Sequence, residues 1–449
     1  MHHLTVNGKQ LLLDCGLFQG RRSEAFERNR NFQFNPANID VVVLSHAHID
    51  HAGNLPNLVR NGFRGPIFCT SATRDLCNVM LYDSAHINER DVEYVNKKKK
   101  KRNEPLIEPL YTSHDVNATL GQFSIVKYRK QTEITDGVSL TFFDAGHILG
   151  STAPLLELRE GGKVFRLGFT GDLGRKKMAI LKDPEPMGDV DALISESTYG
   201  GRIHESREGM KDRFLNVIKR TAERGGKVII PAFSVGRTQE MVYQLFELFD
   251  EGRLPAVPVY VDSPLAVNVT DVFREHEECF DAETMSYIRQ QEDPFGFKRL
   301  KYIRSVNESK ELNEKKEPCV IISASGMCEA GRILHHLANN IGDSRNTVLI
   351  VGYQAEHTLG RRLVEKSPEV KIFGDPFQLK ADVQVLNAYS AHAGQDELVA
   401  YVNSMDKKRL KNIFLVHGDL ERAQKLQAAL QDNGFHNIAI PERGQKAEL

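Results

Sequence analysis

Tryptophan, paired cysteines and long apolar runs are all missing from this sequence. Its 449 residues include no tryptophan and six cysteines, and no two cysteines form a C-x-x-C pair. Such sparse thiols are typical of a reducing compartment rather than of a disulfide framework. No apolar stretch approaches the roughly 20 residues that a membrane span needs, and no secretory signal opens the chain. We therefore expect a cytoplasmic protein without a membrane partner.

Net charge is also nearly absent, since 59 basic and 60 acidic residues leave the chain at −1. This balance neither indicates nor excludes a nucleic-acid partner, because recognition depends on where the charges lie. One run of a single sign stands out, the six consecutive cations 97–102. Such a run is by default a solvated surface, but it also suits an RNA backbone. Both interpretations stay open for Lys97, Lys98 and Lys99.

The pattern of short strands and helices changes twice along the chain. Up to about residue 205, and again after about 375, short apolar strands end in polar turns, as at 41–46 and 413–417. Between about 205 and 365, helical stretches alternate with buried strands such as 228–230 and 348–350. Strand–helix alternation predicts a parallel α/β domain. We therefore expect this domain to be inserted into a fold of a different kind.

The segment Ser45-His46-Ala47-His48-Ile49-Asp50-His51 is the strongest chemical signal. His46 and His48 are two residues apart at a strand end, so their side chains face the same side. Asp50 and His51 follow in the turn. Four donors within six residues suit two neighbouring metal ions, and imidazole with carboxylate suits Zn²⁺ without excluding Mn²⁺ or iron.

Further donors lie far away in the sequence. Asp14, His147, Asp172 and His417 each follow a hydrophobic strand. An aspartate before glycine is often only part of a turn, so each residue alone is weak evidence. Together with the histidine cluster they form a candidate metal constellation.

These motifs resemble those of the metallo-β-lactamase superfamily, which implies an αββα sandwich. The resemblance implies that His46, His48 and His147 bind one zinc ion, that Asp50 and His51 bind a second, and that Asp172 bridges them. It also implies that Asp14 orients a ligand histidine without touching the metal.

Three later residues are similar to motifs A, B and C of the β-CASP subfamily, namely Glu196, His392 in Ser390-Ala391-His392-Ala393-Gly394, and His417 in Val416-His417-Gly418-Asp419. The resemblance implies that His417 completes the second zinc site. It also implies an inserted parallel α/β β-CASP domain at 206–372, between two parts of the metallo-β-lactamase domain at 1–205 and 373–449. Members of the family usually begin with a Gly-rich hairpin, which is missing before Leu4-Thr5-Val6 here.

The implied function is that of a zinc-dependent ribonuclease that hydrolyses RNA with a hydroxide held between two Zn²⁺ ions per chain, Mn²⁺ being an alternative. RNA-processing members carry histidine in motif C, which favours RNA over DNA. Asp50, His392 and Glu196 are the expected catalytic residues, with His392 protonating the leaving group and Glu196 orienting it. The sequence leaves open an endonuclease with or without 5′-to-3′ exonuclease action, and it permits a homodimer.

Two other functions compete for the same motifs. A small-molecule hydrolase such as a thioesterase shares the fold, but the insertion and His392 disfavour it. A non-catalytic RNA-binding scaffold would have lost metal ligands, whereas here every motif is filled. Two turns in the insertion each follow a buried strand and open a helix, where backbone N–H groups attract anions. They offer the candidate phosphate contacts Ser234, Arg237, Ser325 and Gly326.

Overall fold

The computed structural model describes residues 1–18, 20, 22–386 and 389–449. The chain forms two compact units. Unit 1 consists of Met1–Met178, Asp183–Ile203 and His392–Leu449, and unit 2 consists of Ala179–Lys182 and His204–Ala391. Among the described residues, no helix is both long enough and apolar enough to cross a membrane.

Unit 1 contains two β-sheets. The first has five described strands in chain order, β1 (His2–Val6), β2 (Lys9–Leu13), β3 (Val41–Val43), β4 (Ile67–Cys69) and β5 (Phe123–Ile125). The second has seven described strands in the order β20-β19-β10-β9-β8-β7-β6. Their bounds are β6 (Thr132–Thr135), β7 (Val138–Asp144), β8 (Thr152–Glu160), β9 (Lys163–Phe169), β10 (Ala192–Glu196), β19 (Asn412–Val416) and β20 (Ile438–Ala439).

The two sheets pack face to face because alternate residues of their strands are apolar. Leu11 and Leu13 of β2 join Leu140 and Phe142 of β7 in one buried cluster. A second cluster lies on the other face of the seven-stranded sheet and includes Leu426 and Leu430. The helices of unit 1 are α1 (Arg22–Arg30), α2 (Ile49–Ala52), α3 (Leu55–Arg60), α4 (Ser71–Lys101), α5 (Ser113–Leu120), α13 (Gln395–Asn403) and α14 (Leu420–Asp432).

Helices α4 and α14 contact the first and the second sheet respectively. The layers of unit 1 therefore follow the order αββα, and the expected fold class is confirmed. Strands β2 and β3 are parallel, as are β9, β10 and β19. Parallel strands end at a common edge of a sheet, so the polar turns that follow them are brought together.

Unit 2 is built on a six-stranded sheet in the order β13-β12-β14-β11-β15-β18, in which each described pairing is parallel. Its strands are β11 (Val228–Pro231), β12 (Val259–Val261), β13 (Leu300–Tyr302), β14 (Val320–Ser323), β15 (Thr347–Ile350) and β18 (Asp382–Val385). All residues of β11, β14 and β15 are buried, as expected for a parallel sheet with helices on both faces.

The helices of unit 2 agree with the predicted strand–helix alternation. They are α6 (Met210–Glu223), α7 (Arg237–Asp250), α8 (Pro264–Glu275), α9 (Ala282–Arg289), α10 (Val306–Glu314), α11 (Ile333–Asn340) and α12 (Leu359–Val364). Two 3₁₀ turns, Pro36–Asn38 in unit 1 and Glu277–Cys279 in unit 2, complete the helical elements described.

Unit 2 extends to Ala391 in the structure, and the domain limits 206–372 and 373–449 remain predictions. A hairpin of β16 (Glu369–Ile372) and β17 (Asp375–Gln378) is followed by β18, which pairs with β15. The return to unit 1 therefore comes at His392. A short apolar strand before a histidine turn has the same sequence pattern in either unit, and only the pairing partner distinguishes them.

Candidate metal centre

Strand ends position the candidate ligands in unit 1. His46 and His48 follow β3, whose three residues are buried. His48 has an extended ψ of 146° and precedes α2, which carries Asp50 and His51. His147 comes after β7, Asp172 after β9 and His417 directly after β19, while Glu196 is the last residue of β10.

A first donor group consists of His46, His48, His147 and Asp172. His48 Nδ1 lies 3.1 Å from His46 Nε2 and 3.2 Å from His147 Nε2. Asp172 Oδ2 lies 3.6 Å from the Nε2 atoms of both His46 and His147. Tetrahedral ligands with bonds of about 2.0–2.1 Å are about 3.3 Å apart, so these four distances are close to the edge length of a zinc tetrahedron.

A second donor group consists of Asp50, His51 and His417. His417 Nε2 lies 3.2 Å from His51 Nε2 and 3.3 Å from Asp50 Oδ2. Asp172 contributes its other oxygen here, since Oδ1 is 3.4 Å from His51 Nε2. The two oxygens of Asp172 thus face different donor groups, which is the arrangement of a bridging carboxylate.

Asp14 fixes the orientation of His46 and His51 through hydrogen bonds to Ser45 and His51. The carboxylate is 2 % exposed and accepts hydrogen bonds from the backbone N–H and the hydroxyl of Ser45, at 2.7 and 2.8 Å. It also accepts from His51 Nδ1 at 2.7 Å, while Ser45 Oγ lies 3.0 Å from His46 Nδ1. Holding Nδ1 in this way directs the Nε2 lone pair of each ring into the donor group.

Burial and charge set the protonation of this cluster. Burial lowers the pKa of His46 well below its usual range and that of His48 to about 4. Burial opposes ionisation of Asp172, but the charges of His417 and His51 hold its pKa well below the usual range. Burial opposes protonation of His51, but the charges of Asp172 and Asp14 outweigh it and raise its pKa well above the usual range. Because a metal ion binds the neutral imidazole, His51 would release a proton on binding one, whereas His46 and His48 are already neutral.

The surroundings of one buried atom indicate whether a metal ion fits between the two donor groups. Asp172 Oδ1 is buried and accepts no hydrogen bond of good geometry. Buried carboxylate oxygens are normally hydrogen-bonded or bound to a metal. A cation between the two donor groups would satisfy this oxygen, so the residues present fit the metal that the motifs imply.

His392 and Glu196 form a pair beside Asp172. The Nδ1 atom of His392 is 3.3 Å from both oxygens of Glu196 and 3.9 Å from Asp172 Oδ2. Burial would lower the pKa of His392, but the charge and hydrogen bond of Glu196 outweigh it and raise that pKa to about 9. Glu196 is fully buried and also accepts from the backbone N–H of Leu173 at 2.6 Å.

The backbone at His392 is held against the turn that carries Asp172. His392 forms an isolated bridge with Gly174, and the N–H of Ala393 donates to the carbonyl of Leu173 at 2.8 Å. The imidazole stacks on Tyr199 with ring centres 6.0 Å apart. Its side chain remains 22 % exposed to solvent.

Sequence reasoning missed three residues of this site, namely Ser45, Thr198 and Tyr199. Thr198 Oγ1 donates to the carbonyl of His417 at 2.8 Å and lies 3.1 Å from its Nδ1. The available signal was proximity, since Ser45 begins the histidine motif and Thr198 comes two residues after Glu196. Hydroxyl residues are so common in turns that this signal is weak.

The candidate phosphate contacts of unit 2 lie at one edge of its sheet. Ser234 and Arg237 follow β11, and Ser325 and Gly326 follow the neighbouring strand β14. Several of their polar groups have partners within the unit: Ser263 for Ser234, Glu240 for Arg237, and the N–H groups of Glu329 and Ala330 for Ser325. Lys97, Lys98 and Lys99 belong to unit 1, near the end of α4, and Lys98 and Lys99 lie in its last turn.

Comparison with known families gives three matches along the chain. A metallo-beta-lactamase superfamily domain matches residues 3–163, and a Beta-Casp domain matches 238–363. A Zn-dependent metallo-hydrolase RNA specificity domain matches 377–441. The resemblance inferred from the motifs is therefore confirmed.

Similar proteins include a protein of Thermus thermophilus named a ribonuclease, which is 35% identical over 96% of this chain and 93% of its own length. A protein of Methanocaldococcus jannaschii named RNase J-like is 30% identical over 94% of this chain and 89% of its own length. A transcription termination factor, FttA, of the same organism is 32% identical over 91% of this chain. The chain spans 63% of that factor's length.

Proposed function

The chain belongs to the β-CASP group of the metallo-β-lactamase superfamily, and on that premise we propose that it is a metal-dependent ribonuclease. One observation carries the proposal: two donor groups share the carboxylate of Asp172, and the pair of His392 and Glu196 lies beside the same carboxylate. Relatives named ribonucleases supply RNA as the proposed substrate. We expect an endonuclease, with 5′-to-3′ exonuclease action open to test.

We propose two Zn²⁺ ions per chain, with Mn²⁺ as the alternative. His46, His48 and His147 would hold one ion, and Asp50, His51 and His417 the other. Asp172 would bridge them, and Asp14 would orient the ligands. Imidazole-rich donor sets favour Zn²⁺, while carboxylate oxygens also accept Mn²⁺.

The reaction exchanges one oxygen at phosphorus. When bound, two such ions would lower the pKa of water towards about 7 and neutralise the phosphate charge. Attack by the water oxygen breaks the bond from phosphorus to the 3′ oxygen, which leaves a 5′-phosphate and a 3′-hydroxyl. The departing oxygen needs a proton, and we propose that His392 supplies it from Nε2 while Glu196 holds Nδ1. Asp50, a proposed metal ligand whose side chain is 40 % exposed, completes the proposed catalytic set.

Contacts outside the metal centre would position the RNA. In unit 2, Ser234, Arg237, Ser325 and Gly326 are the proposed phosphate contacts, because they lie at strand ends that open helices. Preference for RNA over DNA is proposed from the resemblance carried by His417. A homodimer and a cytoplasmic location remain predictions of the sequence.

Metal analysis combined with a cleavage assay tests the function. The purified protein should hold close to two metal ions per chain and cut end-labelled RNA, while DNA of the same sequence should be cut far more slowly. A chelator should abolish cleavage, and Zn²⁺ or Mn²⁺ should restore it. Asp172→Asn should lose metal and activity together. Full activity in the metal-free protein, or equal rates on RNA and DNA, would contradict the proposal.

A further inference from the structure

Helix α4 has two halves of different character. Its buried side chains end at Ala85, and each residue from His86 to Lys101 is at least partly exposed. At 1.5 Å per residue, these 16 positions extend for about 24 Å. The side chain of Asn96 exchanges hydrogen bonds with the backbone of Ile107, at 2.9 and 3.0 Å, so the helix is held there by the segment that follows it.

The six cations at the end of this half have few counter-ions. We call residues Lys97–Arg102 the basic helix end. Lys99 lies 3.2 Å and Arg102 4.0 Å from the carboxylate of Glu104. In the part of the chain that the structure describes, the other four cations have no ion pair within 4.0 Å: Lys97, Lys98, Lys100 and Lys101.

A structural role does not account for so many charges. Cations in the last turn are favourable because they face the negative end of the helix dipole. Like charges three or four residues apart, such as Lys97 with Lys100 and Lys101, repel one another. Five consecutive lysines also cover every side of the helix, since each residue turns by 100°. This charge suits a polyanion that passes over the helix end.

An exposed aromatic ring adjoins these charges. Tyr94 is 59% exposed, and Lys98 Nζ lies 4.4 Å from the centre of its ring. Proteins that bind single-stranded nucleic acid combine cations that follow the backbone with aromatic rings on which bases stack. An acidic protein segment would use the cations but would have less use for the ring, so the combination favours RNA.

We propose that the basic helix end binds the phosphate backbone of single-stranded substrate RNA at a distance from the metal centre. This inference rests on the proposed ribonuclease function. The cap residue of α4, Thr70, donates its hydroxyl to the carbonyl of Gly150, in the turn that carries His147. From Ser71 to Lys99 the helix rises about 42 Å. At about 3.4 Å per stacked nucleotide, this equals about 12 nucleotides.

The salt dependence of RNA binding tests the inference. The variant changes Lys97, Lys98, Lys100 and Lys101 to glutamine, which keeps the helix propensity of lysine. Removing one lysine–phosphate interaction should make the slope of log affinity against log salt shallower by about 0.7 for a single strand. We therefore expect a slope shallower by about 1.4–2.8 on a 30-nucleotide RNA, and an affinity lower by up to roughly 10²–10³-fold at 0.1 M salt.

The matched control changes four exposed lysines elsewhere to glutamine, Lys315, Lys316, Lys407 and Lys408. This control should keep the wild-type slope, although its net charge changes by the same amount. On a five-nucleotide RNA, too short to reach the basic helix end from the metal centre, the difference between wild type and variant should shrink. Metal content and thermal unfolding of both variants report whether folding is intact.

Three outcomes would overturn the inference while leaving the proposed function standing. One is a salt-dependence slope in the helix variant equal to that of the wild type. Another is a loss of RNA affinity in the control variant equal to that in the helix variant. The third is equally tight binding of poly-glutamate with the same number of charges, which would indicate a site for acidic proteins. A wild-type protein that holds metal but cuts no RNA would instead remove the proposed function itself.

Discussion

Replacement of His392 should distinguish the chemical step of cleavage from metal binding. His392 belongs neither to the group of His46 nor to the group of His51, but to a third group of possible donors with Asp172 and Glu196, in which its Nδ1 faces the Glu196 carboxylate. His392→Ala should therefore keep both metal ions and nearly the wild-type RNA affinity. The rate should nevertheless fall by roughly 10²–10⁴-fold, the usual contribution of a positioned acid. Metal analysis, a binding titration and single-turnover cleavage measure the three quantities.

A substrate that needs no proton provides the control. On a nitrophenyl phosphodiester, whose leaving group departs as an anion, the loss in His392→Ala should be much smaller. Glu196→Gln should show a milder form of the same pattern, because the carboxylate only orients and charges the imidazole. Loss of a metal ion from His392→Ala would make the residue a ligand, and equal losses on both substrates would make it a phosphate contact.

The candidate metal donors could be recognised in the sequence because their chemistry is rare. Imidazoles and carboxylates clustered after strands have few purely structural explanations, and the structure brings His46, His51, His147 and His417 within the two donor groups. Of the residues that orient them, Asp14 was implied by the resemblance, whereas Ser45 was not predictable. The hydroxyl of Ser45 acts only because it lies between Asp14 and His46, and that geometry appears only once the strands are paired.

Among the contacts that join helices and strands of unit 2, we expect replacement of Asp262 to lower stability the most. This residue follows β12, is fully buried, and accepts from Ser309 of α10 at 2.5 Å. It also accepts from Arg332, just before α11, and from His336 within α11, both at 2.6 Å. Asp262→Asn leaves buried donors and a cation without a full partner. Breaking such a pair costs roughly 3–5 kcal/mol, which denaturant unfolding of the full chain measures.

The carboxylate of Asp262 should also make the stability of unit 2 depend on pH. Burial opposes its ionisation, but hydrogen bonds from His336, Ser309 and Arg332 outweigh it and lower the pKa of Asp262. A group with a lowered folded pKa stabilises above its unfolded pKa and loses that contribution as pH falls through the folded value. Wild-type unit 2 should thus lose stability below about pH 4. Asp262→Asn should lack this component, and an identical acid profile would contradict the assignment.

Helices and strands were predictable where the apolar residues recur with a clear period. The sheet to which a strand belongs was uncertain, because strand pairing decides it. The alternation of strands and helices in unit 2 follows directly from the apolar pattern. In contrast, β18 reads as a strand of either unit, and only its pairing with β15 assigns it. Helix α4 was not among the predicted helices, because its second half buries no side chain and so shows no apolar stripe.

For the molecule as a whole, metal should contribute to stability as well as to chemistry. A ligand that binds only the folded state at 100 times its dissociation constant stabilises by about 2.7 kcal/mol. With a shift of about 2–4 °C per kcal/mol for a domain of this size, chelation should lower the unfolding temperature of unit 1 by roughly 5–10 °C. Calorimetry should show unit 2 nearly unchanged, and an unchanged unit 1 would contradict the metal centre.

The contact between His51 and His417 joins positions 366 residues apart in the chain. A metal ion bound to both residues would close a loop of the chain that includes all of unit 2. Closing so long a loop restricts the unfolded chain, much as a cross-link does, but the closure is reversible and depends on the concentration of the ion. A protease cut between residues 204 and 391 would then open this loop rather than divide the molecule. The two fragments would stay paired through β10 and β19, and we expect them to separate more readily in denaturant once the ion is removed.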